Sequence, residues 1–457
     1  MEEFDLIVIG GGRASNLAIA AATAGKNVAL IERDRLGGTC PNRGCVPSKL
    51  LIGYAEVARR VREADRHFIS AKLEGVDLER IFSEVSDYVN QVDARYESRL
   101  PENLILIRGH AEFVADKRIR IRESEQELTA ETIVIAVGTR PRPHPFPDLP
   151  AWSSDDLFPL KAKIPQSLAI IGGGFIGCEL GAFFSAIGIP TALYVRSHHL
   201  LPNEDHEIGE IFCDEFTRHT PTHFGHSLKD LVHDGRSYKA TFVTDDGERS
   251  IEVDQVLFAT GRISNADQLG LEHTQIEVDR RGFIVTDDHL QSTVPGVYAA
   301  GDSAGRFVLQ HAASYDIHYL RQHLLKGDDS PIDYGAMPHA VYSDPEVASV
   351  GLTENQLREQ GTPFVRVMRD WKSSARSMAT RLDYPRAKLL VSPEDYSILG
   401  CHLIGPESST LIHEVLMLIH LENDVRRLPE IIHIHPALSE IFLGLALDAV
   451  KAIESND

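Results

Sequence analysis

Two stretches of the chain share one pattern of apolar and polar positions. Each has an apolar run, a glycine-rich turn, an apolar helix-forming segment and a second apolar run: "FDLIVIGGGRASNLAIAAATAGKNVALIER" near the start and "SLAIIGGGFIGCELGAFFSAIGIPTALYVR" at residues 167–196. Unbroken apolar runs are typical of strands buried on both faces of a parallel sheet. The first stretch predicts a strand at residues 6–9, a helix at 17–24 and a strand at 28–31. The pattern therefore indicates an α/β protein with two Rossmann-like nucleotide-binding units.

The last third of the chain has a different pattern. There "PRAKLLVSP" and "YSILGCHLIG" predict strands, and "SSTLIHEVLMLIHLE" predicts an apolar helix. Proline-rich stretches occur before this region, at residues 138–150 and 327–346. We interpret the first as the link into the second nucleotide-binding domain and the second as the start of a C-terminal domain.

Composition excludes several classes of protein. The chain has 457 residues, too many for one hydrophobic core, and a formal net charge of −21, which argues against nucleic acid and anionic membranes as partners. The N-terminus lacks a basic signal segment, and no apolar run approaches the ~18 residues of a membrane span. We therefore expect a cytoplasmic protein without a disulfide framework. Three of its five cysteines lie apart and are expected to be small buried residues: Cys178, Cys213 and Cys401.

The first glycine turn follows the dinucleotide fingerprint G-x-G-x-x-G/A, with a serine in the third place. Gly10 permits the tight turn, Gly12 lets the backbone approach a pyrophosphate, and Ser15 is small enough to keep helix and strand close. Glu32 ends the second strand, where an acid can accept a hydrogen bond from a ribose hydroxyl. The unit therefore predicts a dinucleotide site rather than an ordinary tight turn.

The second glycine turn has the complete fingerprint, with Gly172, Gly174 and Gly177. Its second strand ends at Arg196 instead of an acid. An arginine can bind a 2′-phosphate with two hydrogen bonds, whereas a carboxylate would repel it. This position favours NADPH over NADH, and a solvated surface arginine is the alternative interpretation.

The segment "GGTCPNRGCVPSK" at residues 37–49 places Cys40 and Cys45 in a loop rich in glycine and proline. The pair could be a metal half-site, an inert structural pair or a redox pair. Structural zinc needs four ligands, and the sequence has no second cysteine pair or compact Cys/His set. Apolar residues recur at helix spacing after Cys45, so the helix dipole and Lys49 would stabilise a thiolate there. These features favour reversible disulfide chemistry.

Essentially the whole chain resembles the class I flavoprotein disulfide reductases, which include lipoamide dehydrogenase, glutathione reductase, mercuric reductase and mycothione reductase. The cysteine segment matches their highly specific motif GGTCxNxGCxPxK. "IVIAVGTRPRPHP" and "VPGVYAAGD" resemble segments of the flavin domain, and "LFATGRISNADQLGLE" resembles the exit from the nucleotide domain. "YSDPEVASVGLTE" and "IHIHPALSE" resemble the dimerisation domain.

The resemblance implies FAD in the first domain and a pyridine nucleotide in the second. It implies an FAD-binding segment at residues 1–148, an NAD(P)H-binding domain at 149–263, a second FAD-binding and central segment at 264–332, and an α+β dimerisation domain at 333–457. The residues expected to bind FAD are Gly10, Gly12, Ser15, Glu32, Gly38, Thr39, Lys49, His110, Ala111, Gly138, Gly301 and Asp302. Those expected to bind the nicotinamide cofactor are Gly172, Gly174, Phe175, Gly177, Glu179, Arg196 and Gly261, with Phe175 as an aromatic gate.

The resemblance also implies roles in catalysis. Cys40 would attack a substrate disulfide, and Cys45 would be held against the flavin as a charge-transfer donor. Lys49 would pair with Glu179 beside the flavin. Electrons would pass from the nicotinamide through FAD and the cysteine pair to a small disulfide, or in the opposite direction in a lipoamide dehydrogenase.

His435 and Glu440 match the His-Glu pair of the family motif HPxxxE. A carboxylate can orient an imidazole and raise its basicity, so the ring can deprotonate one thiol and protonate another. In the family this pair reaches the disulfide of the other subunit, which implies a homodimer. His433, two residues away, is the less favoured base.

The sequence also separates members of the family. The chain keeps His435 and ends in "KAIESND", without the C-terminal cysteine pair of mercuric reductases. Arg196 and "SVGLTENQ" resemble mycothione reductases, although Pro202 occupies the place of a second phosphate-binding arginine in glutathione reductases. We predict NADPH-dependent reduction of a low-molecular-weight disulfide in the manner of mycothione reductase, with an NAD-dependent lipoamide dehydrogenase as the alternative. A nucleotide sensor with idle cysteines is a more distant alternative.

Overall fold

The computed structural model describes residues 1–160 and 163–455. In its first third, a β-rich unit carries helices on its faces. The strands are β1 (Glu2–Ile9), β2 (Val28–Glu32), β3 (Leu104–Arg108), β4 (Ala111–Ala115), β5 (Arg118–Ile121), β6 (Glu127–Ile135) and β7 (Thr139–Pro141). The helices are α1 (Ser15–Thr23), α2 (Thr39–Arg43), α3 (Cys45–Arg62), α4 (Leu78–Asn90) and α5 (Val92–Glu97).

The remaining elements follow the same chain order. The strands are β8 (Trp152–Ser153), β9 (Leu168–Ile171), β10 (Thr191–Val195), β11 (Thr222–Phe224), β12 (Ser227–His233), β13 (Tyr238–Thr244), β14 (Gly247–Val253), β15 (Gln255–Phe258), β16 (Arg262–Ser264), β17 (Val297–Ala299), β18 (His339–Val341), β19 (Val347–Gly351), β20 (Val365–Asp370), β21 (Arg386–Val391) and β22 (Ile398–Ile404). The helices are α6 (Phe175–Ala186), α7 (His206–His219), α8 (Gln310–Lys326), α9 (Glu354–Gln360), α10 (Ala375–Met378), α11 (Ser408–Leu421) and α12 (Glu440–Glu454).

The first sheet joins two distant parts of the chain. Its order is β3-β2-β1-β6-β5-β4, and β17 pairs in parallel with β6. Strands β1, β2, β3 and β6 are parallel neighbours, with Leu6 opposite Val28 in β2 and Thr132 in β6. Because residues 6–9 of β1, 28–31 of β2 and 133–135 of β6 are buried on both faces, these parts of the strands have unbroken apolar runs. The β1-α1-β2 unit confirms the first predicted βαβ motif.

The second sheet has the order β11-β10-β9-β15-β8, and its core is also parallel. The β9-α6-β10 unit confirms the second predicted βαβ motif. An antiparallel sheet, β12-β13-β14, packs against it through Leu231, Tyr238 and Phe242. Both glycine turns therefore follow the first strand of a parallel sheet and precede a helix, the position from which backbone N–H groups can face a bound anion.

The C-terminal unit is an antiparallel sheet, β18-β19-β22-β21-β20, covered by α11 and α12. The predicted strands β21 and β22 and the predicted helix α11 are all present. One face of α12 is buried against the sheet through Ile441, Phe442, Leu445, Ala449 and Ile453. The α/β architecture is the one that the sequence predicted, while the numerical domain boundaries stay predictions.

A buried ionic cluster joins the C-terminal unit to the second sheet. Lys388 on β21 is fully buried, and its Nζ lies 2.9 Å from Asp205, 2.7 Å from Glu207 and 2.6 Å from Glu354. Asp205 also caps α7 by accepting a hydrogen bond from the Glu207 amide. Since a buried ammonium is stable only with such partners, the cluster holds α7 and β21 in one relative position.

Candidate active site

The first glycine turn forms a tight cradle. Gly10 has a φ of +112°, and a Cβ there would lie 2.3 Å from the Ala136 carbonyl oxygen. A Cβ at Gly38, whose φ is +71°, would lie 2.9 Å from the Gly12 Cα. Ser15 is buried beneath the turn, and its Oγ donates a hydrogen bond to the Gly12 carbonyl at 2.8 Å. Backbone can approach a ligand here only because these positions carry little or no side chain.

One long cleft brings most of the predicted FAD-binding residues together. Its lining includes Gly10, Gly12, Glu32, Gly38, Thr39, Cys40, His110, Ala111, Gly138, Gly301 and Asp302. Ser15 and Lys49 do not line it, because Ser15 supports the turn from below and Lys49 pairs with a residue of α6. The cleft passes from the turn after β1 towards the cysteine loop.

Carboxylates stand at two places along the cleft. Glu32 accepts hydrogen bonds from the backbone N–H groups of Gly11, at 2.7 Å, and Asp34, at 2.8 Å, and burial raises its pKa. Asp302 accepts a 2.7 Å hydrogen bond from the Thr139 hydroxyl, and burial also raises its pKa. A glycine cradle at a helix N-terminus, with hydroxyl-binding carboxylates beyond it, fits the pyrophosphate and sugar-like groups of a dinucleotide.

The two predicted redox cysteines lie at successive helices. Cys40 is in α2 and faces the cleft, and Cys45 is the first residue of α3. A hydrogen bond from the Cys40 thiol, with a further contribution from the Lys49 ammonium, lowers the pKa of Cys45 to about 7, although burial opposes the charge. The same hydrogen bond raises the pKa of Cys40. In the dithiol form Cys45 is therefore the thiolate, and Cys40 retains its proton until a base removes it.

Lys49 lies at the meeting point of three segments. Its Nζ is 2.7 Å from Glu179 Oε2 on α6 and 4.7 Å from the centre of the Tyr342 ring. The other Glu179 oxygen accepts a hydrogen bond from the Tyr342 backbone N–H at 3.0 Å. Glu179 is only 4% exposed, so this ion pair is held in a fixed position beside Cys45. The predicted Lys49–Glu179 pair is thus brought together, and Tyr342 is a contact that the sequence analysis missed.

The positive charge of Lys49 should control the pH at which the Cys45 thiol loses its proton. We expect the long-wavelength thiolate–flavin absorption band of the two-electron-reduced enzyme to be lost as the pH falls through about 7, because the depressed pKa of Cys45 keeps its thiolate only above that value. Lys49→Met should move the midpoint upward by about one pH unit, since the nearby positive charge is removed. Absorbance titration measures both values. Arg60→Met, an exposed cation on the same helix, is the matched control, and an unchanged midpoint in Lys49→Met would refute the assignment.

The second glycine turn has the same geometry as the first. Gly172 has a φ of +123°, and a Cβ there would lie 2.4 Å from the Ala259 carbonyl oxygen. A Cβ at Gly177 would lie 2.3 Å from the Gly172 carbonyl oxygen, so this position keeps α6 close to β9. Gly174 opens onto free space, and Phe175, the first residue of α6, is 49% exposed.

Arg196 and Gly261 complete the predicted nicotinamide-cofactor set. Arg196 follows β10 and is exposed, and its side chain has no hydrogen bond or ion pair within residues 1–160 and 163–455. Gly261 has a φ of +107° and lies just after β15, beside open space. An unengaged guanidinium at the end of β10 is available to bind a phosphate group on a bound nucleotide.

The His-Glu pair is formed within the chain. His435 Nδ1 lies 2.7 Å from Glu440 Oε1, while Glu440 Oε2 accepts the Ala437 N–H at 2.9 Å. The hydrogen bond from His435 lowers the pKa of Glu440, which therefore stays ionised and fixes the ring. The His435 side chain is 78% exposed. His433 instead donates from Nε2 to the Leu428 carbonyl, which assigns it a structural role.

Of the three remaining cysteines, two are buried as the sequence predicted. Cys178 and Cys401 are fully buried, and burial raises the pKa of both thiols. Cys213 is half-buried, which corrects the expectation that it is buried, because α7 turns it towards the loop after β10, where its sulfur accepts the Leu200 N–H at 3.3 Å. None of these three lines the described cleft.

Several residues that support the site were missed from the sequence. Arg262 donates from Nε to the Thr139 hydroxyl at 2.9 Å, and that hydroxyl in turn holds Asp302. Arg13 lines the cleft directly after the glycines and donates to the Ser314 hydroxyl at 2.8 Å. Arg262 lies in "ATGR", part of a motif that resembles the family, and Arg13 lies in the first glycine fingerprint. The sequence therefore marked both segments as part of the site, but it did not indicate which residues these arginines contact.

Comparison with known proteins agrees with this site. The family model described as "Pyridine nucleotide-disulphide oxidoreductase" matches residues 4–316, and the model of its dimerisation domain matches residues 337–446. Dihydrolipoyl dehydrogenase of Chlamydia muridarum is 33% identical over 98% of this chain and 97% of its own length. Mycothione reductase of Mycobacterium tuberculosis is 32% identical over 96% of this chain and 98% of its own. The copper(II) complex of the HOCl-induced flavoprotein disulfide reductase RclA from Escherichia coli superposes with a TM-score of 0.86 at 27% identity, covering 98% of this chain and 99% of that one.

In the described part of the chain, no helix combines the length and apolar character needed to cross a bilayer.

Proposed function

Because the chain belongs to the pyridine nucleotide-disulphide oxidoreductase family, whose members use FAD and NAD(P)H, we propose that it passes electrons from NADPH to a low-molecular-weight disulfide. The observation that carries this proposal is Arg196, exposed and unpaired among the described residues at the end of β10. A mycothione reductase among the relatives acts on a substrate of this class, as its name states. The chain is a flavoprotein disulfide oxidoreductase whichever disulfide it uses.

The residues of the cleft fit FAD. The glycine cradle would hold its pyrophosphate, Glu32 its ribose, and Asp302 its ribityl chain, with Gly38, Thr39, His110, Ala111 and Gly138 along its length. Bound FAD supplies a two-electron carrier between the nicotinamide and the cysteine pair.

The cysteines and the His-Glu pair carry the disulfide exchange. Once the Cys40–Cys45 bond has been reduced, His435 accepts the Cys40 proton, and the Cys40 thiolate attacks one substrate sulfur. The substrate S–S bond breaks, and the departing thiolate takes the proton from His435. The Cys45 thiolate then attacks the Cys40 sulfur, which restores the Cys40–Cys45 disulfide and releases the second substrate half as a thiolate that takes a proton from solvent. Lys49 and Glu179 position Cys45 throughout this sequence.

The proposal extends to a homodimer. The C-terminal unit matches a dimerisation domain and exposes large apolar side chains, among them Ile432, Ile434, Met417 and Leu421. Several large apolar side chains exposed in one domain are typical of an oligomer interface. We propose that His435, which projects from the same region, completes the site of the partner subunit. We likewise propose the domain boundaries at residues 148, 263 and 332.

Dihydrolipoyl dehydrogenase is the second candidate. The relatives include several enzymes of that name at 30–33% identity over nearly the full chain. The cysteine motif and the His-Glu pair serve either direction of electron flow, so they do not distinguish the two activities. The nicotinamide cofactor does distinguish them, because Arg196 would give NADPH an advantage that a lipoamide dehydrogenase using NAD does not need.

Steady-state turnover with NADPH or NADH against mycothione, glutathione disulfide, bacillithiol disulfide and lipoamide tests the proposal. We expect NADPH-dependent turnover of one small disulfide. In that case Arg196→Gln should raise the KM for NADPH by about 10- to 100-fold and leave the KM for NADH unchanged, because hydrogen bonds to a charged group contribute about 1.5–3 kcal/mol. Arg218→Gln, an exposed arginine on α7, is the matched control. Turnover confined to lipoamide and NAD(H) would establish the second candidate instead.

A further inference from the structure

Two histidines and an aspartate converge at the C-terminal end of α8, outside the cleft that binds FAD. His289 precedes β17, His323 lies on α8, and Asp329 lies in the segment after it. One metal-ligating atom from each lies within 4.8 Å of the other two, and none of the three lines the described cleft. The geometry points to a binding site for a divalent transition-metal ion, with Zn²⁺ as its representative.

Hydrogen bonds fix the protonation of both rings. His323 Nδ1 lies 2.7 Å from the Asp328 carbonyl, which can only accept, so Nδ1 carries the proton. The Tyr319 hydroxyl donates its one proton to the Ser330 carbonyl at 2.9 Å, so it accepts from His289 Nδ1 at 2.7 Å. Each neutral ring is thereby left with Nε2 as a lone-pair donor. Metal-binding histidines are oriented in this way, with the second ring nitrogen held by a carbonyl or another polar group.

The charges around the rings also suit a cation. The carboxylates of Asp287, Asp328 and Asp329 all lie near Tyr319, and they add to burial in raising the pKa of that hydroxyl. The cation beside residues 286–288, Arg306, is engaged there, since it hydrogen-bonds backbone carbonyls at residues 286 and 287 and lies 3.6 Å from Asp288. A bound divalent ion would therefore offset a local excess of negative charge.

Two imidazoles and one carboxylate match the ligand preferences of zinc. Such ions take these ligands at about 2.0–2.2 Å, and three protein ligands leave a fourth position for water or another small ligand. Ligand atoms that lie up to 4.8 Å apart must move closer to bind one ion, and Asp329 can do so because it is exposed. The half-buried rings are held through their Nδ1 atoms by the hydrogen bonds to Tyr319 and to the Asp328 carbonyl.

A metal ion at this site would link three segments next to the cofactor cleft: the turn before β17, the end of α8 and the segment after α8. Helix α8 lines that cleft through Ala313 and Ile317. The segment after α8 includes Tyr334, whose hydroxyl donates a hydrogen bond to Asp316 at 2.6 Å. The other Asp316 oxygen accepts a hydrogen bond from the Gly301 N–H at 2.7 Å. A metal that joins His289 and Asp329 to the end of α8 would thus stabilise the wall of the cleft behind Gly301.

Isothermal titration of the oxidised holoenzyme with Zn²⁺ tests the site, because the Cys40–Cys45 disulfide cannot ligate metal. We expect one zinc per chain. Asp329→Asn removes a ligand from an exposed position and should weaken binding by at least about 10-fold, while Tyr319→Phe removes only the hydroxyl that orients His289 and should weaken it by about 10- to 100-fold. His318→Ala, an exposed histidine on the same helix, should bind as the native chain does.

The flavin absorption and the midpoint of thermal unfolding serve as folding controls. Zinc should raise that midpoint in the native chain and in His318→Ala but not in Asp329→Asn, because a ligand that binds only the folded state stabilises it. The proposal is overturned if the oxidised enzyme takes up no zinc. It is equally overturned if Asp329→Asn and Tyr319→Phe, both folded, bind zinc with native affinity, since the metal would then lie elsewhere.

Discussion

A chain carrying Cys40→Ser should reduce its disulfide substrate at less than about a thousandth of the native rate, because a serine hydroxyl cannot replace the attacking thiolate. Cys45→Ser should be as inactive, since the mixed disulfide could not be resolved. The two variants should nevertheless differ in their spectra. Cys40→Ser keeps the thiolate expected against the flavin and should show the long-wavelength band, whereas Cys45→Ser should lack it. Turnover and absorption spectra of the purified holoenzymes measure both effects.

The matched control for these variants is Cys213→Ser. Cys213 is half-buried and accepts a hydrogen bond from the Leu200 amide, a role that serine can also fill. It should keep native turnover. Full activity in either Cys40→Ser or Cys45→Ser would contradict the exchange mechanism, and a band that persists in Cys45→Ser would contradict the role assigned to that thiol. A native chain with neither turnover nor the band would favour the nucleotide sensor with idle cysteines.

His435→Gln should lower disulfide turnover by about 100- to 10,000-fold, the range that general acid–base catalysis contributes. The structure explains the size of the effect, because the raised pKa of Cys40 makes a base necessary for its attack. Reduction of the enzyme by NADPH does not use His435 and should keep its native rate in rapid-mixing experiments with this variant. His433→Gln should remain active, since His433 is bonded to the Leu428 carbonyl. Equal losses in the two variants would contradict the choice of base.

Mixing two inactive variants tests whether His435 acts across the dimer. Dissociated Cys40→Ser and His435→Gln chains, reassembled together, form hybrid dimers; with a site shared between subunits, both substitutions meet in one site and the other site is native. If the site is shared between subunits, random assembly should restore about a quarter of native activity. If each site belongs to one chain, every site carries a substitution and no activity returns, which would contradict the shared site.

Much of the site could be predicted from local sequence because local chemistry requires particular residues there. Gly10 and Gly172 have positive φ values and backbone within 2.4 Å of a would-be Cβ, so only glycine is compatible with those turns. The cysteine pair was predicted from its spacing and from the helix that begins at Cys45. Burial on both faces gave the parallel strands their unbroken apolar runs, and these too were predicted.

The antiparallel sheet β12-β13-β14 was not predicted. Its strands carry many charged, exposed residues, and their apolar side chains alternate irregularly. Leu231, Tyr238 and Phe242 are buried because they pack on the second parallel sheet, a contact that local pattern does not encode. The buried face of α3 shows the same limit, since Leu51 and Ala55 are buried while Leu50 and Val57, equally apolar, are exposed.

The sequence by itself determined the two nucleotide-binding turns, the redox pair and the residues able to serve as base, because each depends on residue type at short spacing. Only the tertiary structure decided which of them meet. Lys49 and Tyr342 each lie more than a hundred residues from Glu179, which contacts both, and the Tyr319 hydroxyl that holds His289 lies thirty residues from that ring. Such contacts arise from packing of whole elements against one another, which fixes distances that no local pattern along the chain contains.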